Sequence, residues 1–455
     1  MPAERARFLA PRAWVAGGWA NDVLLVAGAD GHWTDVRPDC APAAAGNATR
    51  LDGPVLPGLV DAHSHAFQRA IAGLTERSPA GRDDFWSWRD RMYAAALRIT
   101  PEQLEAIASQ LYGELLRAGY TQVCEFHYLH NDVDGAAYAG SADMCEALVR
   151  AARRVGIGLT LLPTLYMRSG FGASGLREDQ RRFASTPDGV LRLAERFARQ
   201  DALVTSGVAL HSIRAVDAGA LAEVAAAARG RMPVHIHISE QRREVEECLT
   251  LHGKRPIDWL LAHAPVDDRW SLVHATHADR DELAALRQSG ASIVLCPGTE
   301  ANLGDGVFDL PTWIGASGRW SIGSDSHVTR DWVEELRLLE YSQRFALRER
   351  NVAARAAVGE STAAALFEGA LEGGSAAAGL PLGGLAVGQR ADCIVLDAKA
   401  PALLGVPASH ALDALLFSSP SAPPAAVCVA GRWVSPADTG PAFVDAMNAL
   451  WRDGA

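Results

Sequence analysis

Hydrophobic and polar positions alternate between two patterns through the middle of the chain. Short β-rich apolar runs fall at residues 55–63, 121–127, 156–165, 204–211, 233–238, 270–274, 292–296 and 320–323. Between most of them lie stretches with helical spacing of apolar residues, at 101–118, 141–155, 218–229, 242–262 and 279–288. Thr100 followed by Pro101 is a helix-start signal, a capping side chain ahead of a proline at the first helical position. Strands that alternate with helices pair in parallel. Eight such units in about 270 residues predict a (β/α)8 barrel, whose usual size is about 250 residues. The fold class expected is α/β.

The flanks lack this alternation. Strand-like pieces at 13–15, 22–27 and 33–36 are separated by Gly and Asp turns, and strands return at 388–397 and 426–434. The simplest arrangement joins both ends into one small sandwich-like β domain. This predicts three spans: 1–54 in the β domain, 55–375 in the barrel, and 376–455 returning to the β domain with a closing helix at 441–451. A Gly/Ala-rich stretch at 372–384 reads as a linker at the second boundary.

Composition narrows the function classes. The 455 residues carry 43 basic and 54 acidic side chains, a net charge of -11. That balance argues against a nucleic-acid partner, which calls for a basic patch. No apolar run is long enough for a membrane helix, and Pro11 and Arg12 interrupt the N-terminal region where a secretory signal would need a continuous apolar core. The seven cysteines are scattered without CxxC spacing, which predicts free thiols and a cytoplasmic setting. Phosphate-loop, dinucleotide-binding, nucleophile-elbow and HExxH motifs are absent, as is the HxE…PCxxC pattern of small zinc deaminases. Only two lysines occur, Lys254 and Lys399.

Histidines and carboxylates gather at the C-terminal ends of the predicted strands, where barrel active sites form. The first run ends Asp61-Ala62-His63-Ser64-His65. Strand alternation puts His63 and His65 on one face, able to chelate a divalent ion. The fifth gives His235, His237 and Glu240. His237 is a third candidate ligand, Glu240 a candidate proton shuttle, and His235, one layer deeper, an interior hydrogen-bonded residue. The sixth ends at His274, placed to stabilise an attacking hydroxide or a developing tetrahedral centre; His277 reads as loop. The eighth gives Asp325, a metal ligand and proton acceptor. Ser326 or Thr329 suits a helix cap, and His327 remains open.

The ordered set HxH, HxxE, His and Asp resembles the amidohydrolase superfamily, metal-dependent hydrolases on a distorted (β/α)8 barrel with a flanking β domain. One branch of it bridges two metals with a carboxylated lysine at strand four. Here that position reads Ala209-Leu210-His211-Ser212, far in sequence from both lysines, which points to the mononuclear branch. The segments 63–76 (HSHAFQRAIAGLTE), 85–93 (FWSWRDRMY), 125–132 (EFHYLHND), 211–216 (HSIRAV), 299–306 (TEANLGDG) and 323–327 (GSDSH) resemble the formimidoylglutamate deiminase family.

The resemblance implies hydrolysis of N-formimino-L-glutamate to N-formyl-L-glutamate and ammonia in histidine degradation, and a homodimer. It implies one divalent ion per chain, zinc, on His63, His65, His237 and Asp325. Glu240 and His274 become catalytic, with Asp325 as base, and Gln68, Arg89, Tyr128, His211 and Arg214 become substrate contacts. Two arginines suit a small dicarboxylate, although Arg91 rivals Arg89 for its place. Phe85, Trp86 and Trp88 either cover the site or pack the core. Gly298 stands where the family has a hydroxyl residue, and VALHS where it has VAPHS, which puts the strand-seven loop in question. Two alternatives stand beside this reading: another mononuclear deaminase acting on a guanine-like base or a guanidino acid, and a catalytically silent metal- or ligand-binding barrel.

Overall fold

The computed structural model describes residues 6–77, 85–140, 142–198, 201–420, 422–435 and 437–452. Among them, eight parallel strands form the barrel: Leu59–Ser64, Tyr120–His127, Gly158–Leu165, Val208–Ser212, Val234–Ile238, Trp270–His274, Ser292–Leu295 and Trp320–Ile322. They pair in sequence order, and a bridge between Ser64 and Asp325 joins the last strand end to the first. The chain is thus an α/β barrel. Gly323 permits the closure, because a Cβ there would lie 2.6 Å from His63 Cβ and 2.8 Å from its backbone nitrogen. The strands are buried along most of their length, as parallel strands covered by helices on one side and a packed interior on the other must be.

Two predicted strands divide. Residues 55–63 split at Gly58, and Val55–Pro57 pairs in the small terminal sheet while Leu59–Ser64 enters the barrel. Residues 204–211 split at Gly207, and the short Val204–Ser206 pairs with the third barrel strand.

The helices follow the amphipathic stretches with local corrections. Pro101–Ala118 begins at a capping box in which Thr100 Oγ1 accepts from Gln103 N and Gln103 Oε1 accepts from Thr100 N. The stretch 242–262 breaks into Arg242–His252 and Pro256–His263, separated by Gly253 in the left-handed region and Pro256, which starts a new helix. The helix expected from 141 runs Asp143–Val155; residue 141 lies outside the described residues. After the eighth strand, neither Ser326 nor Thr329 caps the next helix. Asp331 does so, accepting from Val333 N at 2.9 Å, while Ser326 bonds Thr299.

Both ends of the chain join in one mixed sheet of eight strands, in which Val55–Pro57 lies between Ala6–Val15 and Cys393–Val395. The predicted linker 372–384 is mostly not a linker. Helix Thr362–Ala378 continues through its first seven residues, since alanine favours helix and the carbonyl of Ala377 accepts from His235 inside the barrel.

The two parts are tied by Arg390. Its guanidinium pairs with Asp392 at 2.6 Å and donates to Gln122 Oε1 and the Thr121 carbonyl on the second barrel strand. Arg390→Met strands the buried Asp392 carboxylate, and we expect it to lower unfolding free energy by about 3 kcal/mol, measured by urea denaturation.

Among the described residues, no helix is long and apolar enough to cross a membrane. All seven cysteines are free and buried.

Candidate active site

The strand ends place the chemistry. His63 and His65 leave the first strand on one face, and His237 leaves the fifth facing them. Their Nε2 atoms converge, 3.1 Å between His63 and His65 and 3.0 Å between His237 and His63. Asp325 Oδ1 stands 3.5 Å from His63 Nε2 and 3.4 Å from His65 Nε2.

The protons of two rings are committed elsewhere. His65 Nδ1 donates to the Phe126 carbonyl at 2.8 Å, and His237 Nδ1 donates to the His211 carbonyl at 2.9 Å. Their Nε2 atoms therefore present lone pairs toward one another, an arrangement that repels unless a cation sits among them. Burial, and then the neighbouring imidazoles, hold His63 and His237 well below the ordinary histidine range, and burial lowers His65 against the pull of Asp325. Neutral nitrogen donors with one carboxylate are what a divalent transition metal requires. The residues present fit such an ion.

Buried carboxylates hold these strand ends. Glu125 accepts from Ser64 Oγ and Ala66 N, both at 2.7 Å, and from Tyr112 at 3.1 Å. Asp61 accepts from Ser324 N at 2.8 Å and Ser324 Oγ at 2.6 Å, tying the eighth strand end to the first. Burial pushes Glu125 up to about 8 and Asp61 up to about 7, opposed by these donors. Asp325, His274, Ala275, Ser239 and His327 have positive φ between 49° and 71°. Left-handed backbone at non-glycine residues costs energy and clusters here at the functional face.

His274 bridges the carboxylates. Its Nε2 is 3.9 Å from Glu240 and 3.8 Å from Asp325, and its Nδ1 is 3.3 Å from Glu300. Burial opposes charge on His274, yet Glu240, Glu300 and Asp325 carry it up to about 10. Glu240 is raised by its own burial, against His274 and Arg214.

Ten of the eleven residues singled out from the sequence line one small cavity of about 50 Å³: His65, Gln68, Arg89, Tyr128, His211, Arg214, His237, Glu240, His274 and Asp325. The eleventh, His63, lies fully buried among the ligand candidates. Gln68 donates to Tyr128 at 3.0 Å. Burial, with Arg214 and Arg89 adding to it, keeps His211 neutral. Arg89, not Arg91, faces the cavity; Arg91 instead donates to the Thr75 carbonyl at 2.8 Å. Phe85 and Trp88 line the cavity, and Trp86 lines an adjoining outer basin of about 600 Å³ that shares Arg89 and Arg214 with it.

His235 is the interior residue expected, bonded at 2.9 Å to Ala377 O. His327 is likewise structural, its Nδ1 2.9 Å from Ser324 Oγ. Gly298 has a steric reason: a Cβ there would lie 2.4 Å from Thr329 Cγ2 and 2.8 Å from Glu335 Oε1.

Several residues of the site escaped sequence reasoning. Glu300 lies inside the quoted 299–306 segment, yet no spacing rule marked it as the partner of His274. Cys296 has its sulfur within 4.8 Å of ligand atoms of both His274 and Asp325, and burial keeps it a thiol. Tyr93 and Tyr166 line the cavity from separate segments. A second histidine group, His127, His130 and Cys145, lies outside this cavity, where His130 Nε2 donates to the Thr164 carbonyl at 2.9 Å.

Comparison with known proteins accords with this geometry. The model of the amidohydrolase family matches residues 55–434. The chain is 48% identical over 430 residues to formimidoylglutamate deiminase of Pseudomonas aeruginosa, covering 93% of each chain. It is 29% identical over 360 residues to 5-methylthioadenosine/S-adenosylhomocysteine deaminase of Halobacterium salinarum, covering 77% of this chain and 75% of that one. Among solved structures, an amidohydrolase from Brucella melitensis superposes with a TM-score of 0.91 at 41% identity, covering 98% and 99% of the two chains. With its barrel, its strand-end histidines and these relatives, the chain belongs to the amidohydrolase family.

Proposed function

We propose that this chain is a zinc-dependent formimidoylglutamate deiminase, hydrolysing N-formimino-L-glutamate to N-formyl-L-glutamate and ammonia in histidine degradation. The relative from Pseudomonas aeruginosa carries that name. One observation supports it most: a metal-type cradle at one end of the cavity and two under-paired guanidiniums at the other. Arg214 lies 4.0 Å from Glu240 and 3.9 Å from Glu244, longer than a hydrogen bond, and Arg89 lies 4.0 Å from Asp90. The buried Nε atoms of both arginines find no acceptor among the described residues. Buried donors without acceptors call for an anion. A dicarboxylate meets that demand, and a neutral guanine-like base does not.

His63, His65, His237 and Asp325 would hold the ion, for which nitrogen-rich ligation favours zinc. When bound, it supplies Lewis acidity that brings the pKa of water toward about 7. Asp325 accepts a proton from the attacking water. The water oxygen bonds to the formimino carbon, and His274 donates to that oxygen as the carbon becomes tetrahedral. Glu240 carries that proton to the terminal nitrogen and then the second proton of the water oxygen, given up as the C–O bond becomes a carbonyl, so that the carbon–nitrogen bond breaks and ammonia leaves. A formamide remains on the glutamate nitrogen. Gln68, Tyr128 and His211 supply neutral polar contacts beside the two arginines. The free thiols support a cytoplasmic setting.

The test is ammonia release from formiminoglutamate, guanine and a guanidino acid side by side. Only the first is expected to be turned over efficiently. Preference for either alternative, or a zinc-loaded chain inert to all three, would sink the reading. Arg214→Met is expected to raise KM for formiminoglutamate about 100-fold through loss of a charged bidentate contact. An unchanged kcat/KM would remove Arg214 from the carboxylate site.

A further inference from the structure

The two cavity arginines meet on one indole. The Arg89 Cζ lies 4.5 Å from the Trp86 ring centroid, and the Arg214 Cζ lies 5.9 Å from it. A third guanidinium, Arg243 of helix Arg242–His252, lies 4.8 Å from the same ring. Arg243 is exposed and already bonded to Glu247 at 2.6 Å. Arg89 and Arg214 are different: both are largely buried, and neither has a carboxylate within hydrogen-bond distance among the described residues. Two such cations on one wall repel each other, and their long side chains need something to define their positions.

Trp86 lines the outer basin and not the inner cavity, whereas Arg89 and Arg214 line both. The indole therefore meets the guanidiniums from the outer basin and takes no part in lining the inner cavity that the metal-ligand candidates share. An aromatic face attracts cations through its quadrupole, more strongly where water is excluded. It also adds no hydrogen-bond acceptor that would compete with a ligand carboxylate. A carboxylate in its place would neutralise the arginines and compete with the substrate.

We propose that Trp86 is the positioning residue of the carboxylate clamp, holding Arg89 and Arg214 spaced and ready to donate to a dicarboxylate. This rests on the reading of the two arginines as the substrate clamp. The test uses the full-length, zinc-loaded protein and glutarate as a dicarboxylate probe that cannot react, with binding measured by titration calorimetry. Trp86→Leu is expected to weaken glutarate binding about tenfold, and Trp86→Phe to stay within about threefold of the wild type, since Phe retains an aromatic face. In steady-state assays the Leu variant should raise KM for formiminoglutamate by the same factor while kcat changes little. The kcat/KM for N-propylformamidine, which lacks carboxylates, should move less than about twofold.

Wild-type-like glutarate binding by Trp86→Leu would overturn the role of Trp86 alone. So would a Phe variant as weak as Leu. A wild-type protein that fails to bind glutarate would overturn the clamp reading, and the positioning role with it.

Discussion

Glu240→Gln is expected to lower kcat for deimination by about 1000-fold or more while leaving bound zinc unchanged. The carboxyl is buried, and burial raises its pKa toward the range where a group both gives and takes protons. It stands 3.9 Å from His274 and 4.0 Å from Arg214, between the two groups. Glutamine preserves shape and hydrogen bonding but cannot carry a proton to the departing nitrogen. Metal content by atomic emission separates this from loss of the centre. A glutamine variant with full activity, or one stripped of zinc, would remove the shuttle role from Glu240.

His237→Ala and His235→Ala form the second expected result, because they divide two histidines only two residues apart. His237 points its Nε2 at His63. Its removal is expected to take zinc from about one per chain to below about 0.1 after dialysis, with activity lost in parallel. His235 donates to Ala377 O on the helix against the barrel. Its removal is expected to leave zinc in place and reduce stability by about 1–3 kcal/mol, from the unpaired carbonyl and the space left behind. Equal loss of zinc in both variants, with folding intact, would contradict the division of roles.

Much of the barrel was legible because parallel strands buried on both faces read as apolar runs, and helical stretches lie between most of them. Thr100-Pro101 is the clearest helix start, and its capping box forms as the residues suggest. The departures have local causes. Residues 55–57 and 59–63 form one apolar run, and only tertiary pairing sends the first three into the terminal sheet. The stretch 242–262 keeps its amphipathic period across Gly253 and Pro256, which divide it. The segment after Glu372 has the glycines of a linker, yet its alanines are good helix formers and carry helix Thr362–Ala378 to its end.

The site was legible where strand alternation fixed a direction. It separated His63 and His65 from their neighbours and set His235 a layer below His237. Side chains delivered by the helices beyond the strand ends, such as Pro297–Leu303 and Phe85–Ala96, were harder to read. Nothing local distinguishes Glu300 as the neighbour of His274, and Trp86 could equally have packed the core. The supporting carboxylates Asp61 and Glu125 sit on strands among apolar residues, and their partners Ser324 and Ser64 become apparent only once the strand ends meet.

The most direct test of the account follows the formimino carbon itself. With 13C at that carbon, NMR of a reaction run to completion by the zinc-loaded protein should show N-formyl-L-glutamate as the sole labelled product, with ammonia in equal amount. Labelled formamide released together with free glutamate would show cleavage of the other C–N bond and contradict the assignment, as would an unchanged substrate signal.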